Sequence, residues 1–210
     1  PTVSTRSREE FINAFHNIKQ HKDERILGIH AEGPFLSKEY KGAMNEKHIL
    51  PPDKKLLKEF YIESGGLLKL ITVAAEAVNL KEFVSYCKEL KIEVSMGHSN
   101  ATYNQAQSAA DSGISRLTHT YNAMRPMHHR EPGILGFAFD DDRINCELIC
   151  DFVHVSQPMV RLAIKAKNYK NITMISDGEV GCGLGDGEYN LPDLRTVVIK
   201  NGVCTMKGSD

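Results

Sequence analysis

The stretch LLKLITVAAEAVNLKEFVSYCKELKIEVSMGHS, residues 67–99, decides the fold. The apolar run from Leu67 to Val73 reads as a buried strand, and the run from Ile92 to Met96 repeats it. Between them Leu80, Phe83, Val84, Cys87 and Leu90 form one apolar helical stripe behind Asn79, which is placed as an N-cap. Strand, helix and strand in that order make a βα repeat, whose strands lie parallel. Each of the two strands hands over to a chemically capable side chain, Glu76 after the first and His98 after the second.

The same pattern recurs on both sides. Ile26 to Ile29, Ile114 to Leu117, Ile144 to Ile149 and Ile172 to Ile175 are further apolar runs, so six strands are expected. Phe11, Phe15 and Ile18 mark a helix that opens on a Ser7/Glu10 capping box. A helix over Ala101–Ser112 is stopped by Gly113 at its C′ position, and one over Ser156–Asn168 tolerates Pro158 in its first turn. The fold class is therefore α/β, either an open doubly wound sheet or part of a (β/α)8 barrel. No GxGxxG or GxxxxGK[ST] follows a strand, which removes the usual nucleotide-binding versions. The glycine-rich run Gly181–Gly187 opens no helix. The tail differs: Thr196–Ile199 and Val203–Met206 flank Lys200-Asn201-Gly202, the signal of a type I′ hairpin. Residues 1–187 are read as the α/β unit and 188–210 as a piece of a small appended sheet.

Bulk composition narrows the partners. The 210 residues are 41% hydrophobic and 25% charged with net charge -1, so no basic excess favours nucleic acid. No apolar run approaches the roughly 18 residues of a membrane span, and no signal peptide opens the chain. Five cysteines without a CxxC pair read as reduced thiols of a cytoplasmic protein.

The chemistry collects at the strand ends. Glu32, Glu76, His98, His119, His154 and Asp177 each follow one strand, on the edge where parallel α/β folds bind ligands. One Glu and two His from neighbouring strands suit Zn²⁺ or Fe²⁺, and three protein ligands leave an open position for catalysis. An aspartate nearby can then take and deliver a proton. The loop LTHTYNAMRPMHHREPG, residues 117–133, is too polar to pack as core. Within it His119 lies at a strand end, whereas His128 and His129 lie out on the loop as solvent or substrate contacts.

Six motifs in series carry a resemblance: HAEGPF (30–35), GHSNAT (97–102), THTYNAM (118–124), HREPG (129–133), DFVHV (151–155) and the Ser-Asp pair at 176–177. From about Gly28 to Gly187 the chain resembles the N-acetylglucosamine-6-phosphate deacetylase family of the amidohydrolase superfamily. The resemblance implies a partial (β/α)8 barrel of about six βα units with a β-hairpin from a small β appendage. It implies hydrolysis of the acetamide of N-acetylglucosamine 6-phosphate, one divalent metal ion (Zn or Fe), and a homodimer when full length. Glu32, His98 and His119 match the metal ligands, and Asp177 matches the general acid/base. Asn122, Ala123, Arg130, His154 and Ala43 match substrate contacts, with Arg130 as the phosphate partner.

Departures are also legible. KGAM (41–44) stands where the family usually reads KGAH, and a thioether donates no hydrogen bond, so reduced activity is expected unless His48 substitutes. Ala31 replaces a common leucine, and Ser176–Val180 replaces a more alanine-rich stretch. The family's first strand, with its HxH motif, is absent because Pro1-Thr2 resembles the end of the second, and Gly208-Ser209 resembles the start of a final GS motif. The expectation is a piece of a longer protein, with unpaired sheet edges and poor stability alone. Two other functions compete: an amidohydrolase for another amide, and a sugar-phosphate-binding relative that has lost catalysis.

Overall fold

Seven parallel strands run across one sheet in chain order, β1 through β7, and a second sheet of three antiparallel strands is ordered β10-β9-β8. The computed structural model describes residues 1–21, 23–179, 181–190 and 196–208; Val180 and Ser209, which figured in two of the motif readings, lie outside them. The elements alternate: β1 (Thr2–Ser4), α1 (Arg8–Gln20), β2 (Ile29–Glu32), α2 (Lys54–Glu63), β3 (Leu68–Val73), α3 (Leu80–Glu89) and β4 (Glu93–Met96). Then come α4 (Tyr103–Asp111), β5 (Arg116–Leu117), α5 (Gly133–Asp140), β6 (Asn145–Ile149), α6 (Gln157–Lys167) and β7 (Ile172–Ile175). The second sheet is β8 (Gly187–Asn190), β9 (Thr196–Lys200) and β10 (Val203–Met206).

The large sheet is curled, and side chains prove it. Glu32 at the end of β2 meets His119 just beyond β5 at 2.9 Å. In a flat sheet three strand spacings would hold them roughly 14 Å apart. Inside the curl Thr72 of β3 likewise reaches Thr118 at 2.9 Å, and Thr118 donates to Ser95 of β4 at 2.6 Å. Of the two α/β forms the pattern allows, this is the partial barrel that the resemblance implies, with one strand more than the six expected, because Thr2–Ser4 pairs in parallel with His30–Glu32.

Helices close the outer face. Phe11 and Phe15 of α1 pack on Phe60 of α2 with ring centroids 4.8 and 5.3 Å apart, all three fully buried. Each such burial contributes about 1.5–3 kcal/mol, so this trio anchors the first two helices. Phe35, in the loop after β2, meets Phe83 of α3 edge-on at 5.0 Å. The Ser7/Glu10 capping box forms as expected, and Gly113 takes positive φ (113°) after α4. Asn79 differs from expectation. It precedes α3 but sits in the left-handed region at φ 55° rather than in the extended backbone of a capping residue, and its side chain makes no capping bond. The first predicted strand also shifts: Ile26–Gly28 stay outside, Leu27 is 89% exposed, and the strand starts at Ile29 and ends on Glu32 itself. The hairpin is as read. Val203 pairs with Lys200 across Asn201 and Gly202, whose φ values of 53° and 77° are those of a type I′ turn. Pairing of β8 with β9 enlarges it to three strands.

Candidate metal centre and its surroundings

Three strand ends converge on one point. Glu32 closes β2, while His98 and His119 each stand two residues beyond the end of β4 and β5. Gly97 permits the approach: a Cβ there would lie 2.8 Å from Thr72 Cγ2 and 2.9 Å from Thr118 Cβ, too close for any side chain. The chain then turns sharply into left-handed backbone, with φ 46° at His98 and 29° at His119. Asp177, two residues past β7, repeats the turn at φ 45°. Non-glycine residues avoid this region, and such strain concentrates at sites that hold ligands.

The three side chains meet nearly at contact. Glu32 Oε1 is 2.9 Å from His98 Nε2 and 2.9 Å from His119 Nε2, and the two nitrogens are 3.0 Å apart. All three residues are buried, and together they form a group able to hold a metal ion. The hydrogen bonds test that fit. His98 Nδ1 lies 2.8 Å from the Tyr40 carbonyl, which only accepts, so that nitrogen carries the proton. A neutral His98 then aims the bare lone pair of Nε2 at a carboxylate oxygen. Lone pair against lone pair is unfavourable without a cation between them, so the donor set fits a bound ion. Buried His119 Nδ1 has no protein partner among the described residues. Burial disfavours the Glu32 anion, but the bonding and positive charge that His119 and His98 offer when protonated outweigh it and hold the carboxyl well below its usual range. Burial likewise works against charged His119, yet its bond to Glu32 and the charge of that carboxylate raise its pKa overall.

The other sequence candidates ring this centre. Asp177 has its pKa raised, first by partial desolvation and then by the negative charge of Glu32, which places it in the electrostatic reach of the cluster. His154 is exposed, with Nδ1 2.6 Å from Asp151 Oδ2 and its backbone N–H donating to Asp151 Oδ1 at 2.9 Å. That partner was not foreseen, although the i, i+3 spacing in DFVHV carries the signal. Asn122 folds back, its amide nitrogen donating to the carbonyls of His119 at 3.3 Å and Thr120 at 3.4 Å. Ala123 is left-handed (φ 47°) and faces Gly42: a Cβ on Gly42 would lie 3.7 Å from Ala123 and 3.3 Å from the His98 ring. Ala43 is therefore carried on a loop that closes over His98. Arg130 is exposed, its backbone N–H donating to His128 Nδ1, while its guanidinium has no protein partner among the described residues.

His48 ends the short turn Glu46–His48, and none of the hydrogen bonds of the Glu32, His98 and His119 side chains among the described residues involves it. Glu76, noted only as a strand-end carboxylate, turns out to be heavily engaged: it accepts from Ser99 Oγ at 2.5 Å and from the Asn100 N–H at 2.8 Å.

Comparison with known proteins gives a consistent neighbourhood. No family model matches the chain. It is 39% identical over 195 residues to N-acetylglucosamine-6-phosphate deacetylase of Lysinibacillus sphaericus, covering 92% of this chain and 50% of that protein. It is 32% identical over 167 residues to N-acetylgalactosamine-6-phosphate deacetylase of Escherichia coli, covering 80% of this chain and 44% of that protein. Among solved structures, a variant of N-acetyl-D-glucosamine-6-phosphate deacetylase from Mycobacterium smegmatis, in complex with N-acetyl-D-glucosamine-6-phosphate, superposes with TM-score 0.93 at 28% identity. It covers all of this chain (100%) and 55% of that one. The chain spans about half the length of the curated relatives it matches.

Proposed function

We propose that this chain, a relative of the N-acetylglucosamine-6-phosphate deacetylases, carries the metal-binding and proton-transferring part of such an enzyme. The reaction is hydrolysis of the acetamide of N-acetylglucosamine 6-phosphate to glucosamine 6-phosphate and acetate. The convergence of Glu32, His98 and His119 is the observation that carries this reading. These residues would hold one divalent ion, Zn²⁺ or Fe²⁺. When bound, such an ion polarises an amide carbonyl and lowers the pKa of water in its open position.

The protein's own residues do the rest. Asp177 takes the proton from the attacking water as the new C–O bond forms at the acetamide carbon. It returns that proton to the nitrogen as the C–N bond breaks, so the amine leaves neutral. A carboxyl with a raised pKa is suited to both halves of that exchange. Arg130, whose guanidinium has no protein partner among the described residues, meets the 6-phosphate, and His154, held by Asp151, meets the sugar together with Asn122 and the backbone at Ala43 and Ala123. Residues 1–187 form the catalytic unit and 188–210 part of the appended sheet; the full-length protein works as a homodimer in the cytoplasm.

One observation favours a second reading, an impaired enzyme that retains binding: Met44 occupies the position where a hydrogen-bond donor is expected to polarise the carbonyl. Acetate release with added Zn²⁺ or Fe²⁺, measured on both the gluco and galacto 6-phosphate sugars, separates the cases. Metal-dependent release supports the deacetylase. Tight sugar-phosphate binding without release supports the impaired relative, with Met44→His expected to restore activity.

A further inference from the structure

The turn that presents His98 is held by a carboxylate from the neighbouring strand end. Glu76 follows β3, and its two oxygens accept separately: Oε2 from the Ser99 hydroxyl at 2.5 Å, Oε1 from the Asn100 N–H at 2.8 Å. Ser99 is fully buried, and its Oγ in turn accepts from the backbone N–H of Ala75 and of Ala101, both at 3.2 Å. The hydroxyl therefore ties the residue before Glu76 to the residue after the turn. Other bonds complete the frame: Ser37 N–H donates to the His98 carbonyl at 2.9 Å, Arg125 N–H to that of Ser99 at 3.0 Å, and Arg125 Nε to that of Asn100 at 2.9 Å.

Those last three bonds fix carbonyls. Glu76 instead accepts at once from the Asn100 N–H and from the Ser99 hydroxyl, joining the first N–H after the turn to the side chain that the Ala75 and Ala101 N–H groups also hold. His98 must adopt φ 46°, a conformation that relaxes unless its surroundings over-determine it. The relaxed alternative would rotate the imidazole away from Glu32 and His119.

We infer that Glu76 is a positioning residue for the metal centre, acting through Ser99 and Asn100 to hold His98 in the left-handed turn that aims its Nε2 at Glu32 and His119. It touches neither ion nor substrate. Residues that orient ligands commonly change metal affinity by about 10- to 100-fold when removed. The inference rests on the metal-centre reading above, and its test keeps the two apart.

The test measures Zn²⁺ affinity by chelator competition on the 210-residue chain, alongside apo thermal melting. Glu76→Ala should weaken Zn²⁺ binding by about 10- to 100-fold. Glu76→Gln, which keeps an acceptor for one of the two donors, should lose less. Ser99→Ala should weaken binding in the same direction, and the Ser99→Ala/Glu76→Ala pair should lose clearly less than the product of the two single losses. His98→Ala is the control for the centre itself. Unchanged affinity in His98→Ala overturns the metal reading. A large loss in His98→Ala beside wild-type affinity in Glu76→Ala and Glu76→Gln overturns the positioning role alone. Should Glu76→Ala fail to fold, Glu76→Gln carries the test: a lowered melting temperature with wild-type affinity makes Glu76 merely structural.

Discussion

Single residues carry the sharpest expectations. Removing His98 leaves two ligands, too few to hold zinc well, so His98→Ala should bind no stoichiometric Zn²⁺ by metal analysis of folded protein. Arg130 stands on an exposed loop, and its guanidinium has no protein partner among the described residues. Arg130→Ala should therefore weaken binding of the 6-phosphate sugar by about 1.5–3 kcal/mol, the worth of a hydrogen bond to a charged group. Calorimetry should show little change for the unphosphorylated sugar, and equal losses for both would make Arg130 structural. Phe152 poses a different question. It is 57% exposed and left-handed at φ 64°, in the Asx turn by which Asp151 holds His154. A bulky side chain there costs roughly 1–2 kcal/mol of backbone strain, so Phe152→Gly should raise the urea midpoint of unfolding. A lowered midpoint would mean that the ring packs against something that offsets the strain.

At the level of elements, what sequence reveals depends on how much of an element is local. The αβ alternation, the Ser7 capping box and the Asn201-Gly202 turn are readable because periodicity and turn chemistry are properties of neighbouring residues. α5 is hidden because Gly133–Asp140 is apolar on every side and starts at Pro132 with no side-chain cap, so no stripe betrays it. α2 has a local signal as well, Asp53 capping Lys55 and Leu56 after two prolines. β1 has three residues, too short for any period, whereas β5, only two residues long, is marked by the apolar run Ile114–Leu117 around it. The candidate centre shows the same division. Strand ends nominate Glu32, His98 and His119, and the i, i+3 spacing of Asp151 and His154 is local too, but the Tyr40 carbonyl behind His98 and the Glu76 clasp arise only when distant segments meet. One cap tests this locality directly. Thr102 and Gln105 form a capping box at the start of α4, three residues past the buried Ser99. Thr102→Ala should cost about 1 kcal/mol in denaturant unfolding while leaving Zn²⁺ affinity unchanged. A drop in affinity would couple the helix to the turn it follows.

For the whole molecule, the polar interior of the curl links stability to acidity. His30 of β2 shares a hydrogen bond with Thr72 Oγ1 at 2.7 Å, and burial pushes its pKa down to about 4. Its pKa is lower folded than unfolded, so the unfolded chain takes up the proton first. The stability this provides is complete above pH about 6.5 and is lost as pH falls from there toward about 4. The loss should reach about 3 kcal/mol, read as a falling urea midpoint. His30→Gln, which keeps a partner for Thr72, should flatten that fall, and an unchanged slope would exclude His30 as its source. A divalent ion acts on the same balance, since ligand at about 100-fold over its dissociation constant adds about 2.7 kcal/mol to the folded state. The consecutive strand order reaches further, into how the chain acquires its shape. Every parallel pairing joins successive strands, so the sheet can zip from one βα unit to the next without waiting for its ends to find each other. Glu32 and His119 nevertheless lie 87 residues apart, with His98 only 21 before the latter. His98 lacks its carboxylate until the units from β2 to β4 are in place, and His119 until those as far as β5 are. The centre thus closes late in the zipping of this half of the sheet, and a metal that recognises the closed triad selects chains whose curl is already complete.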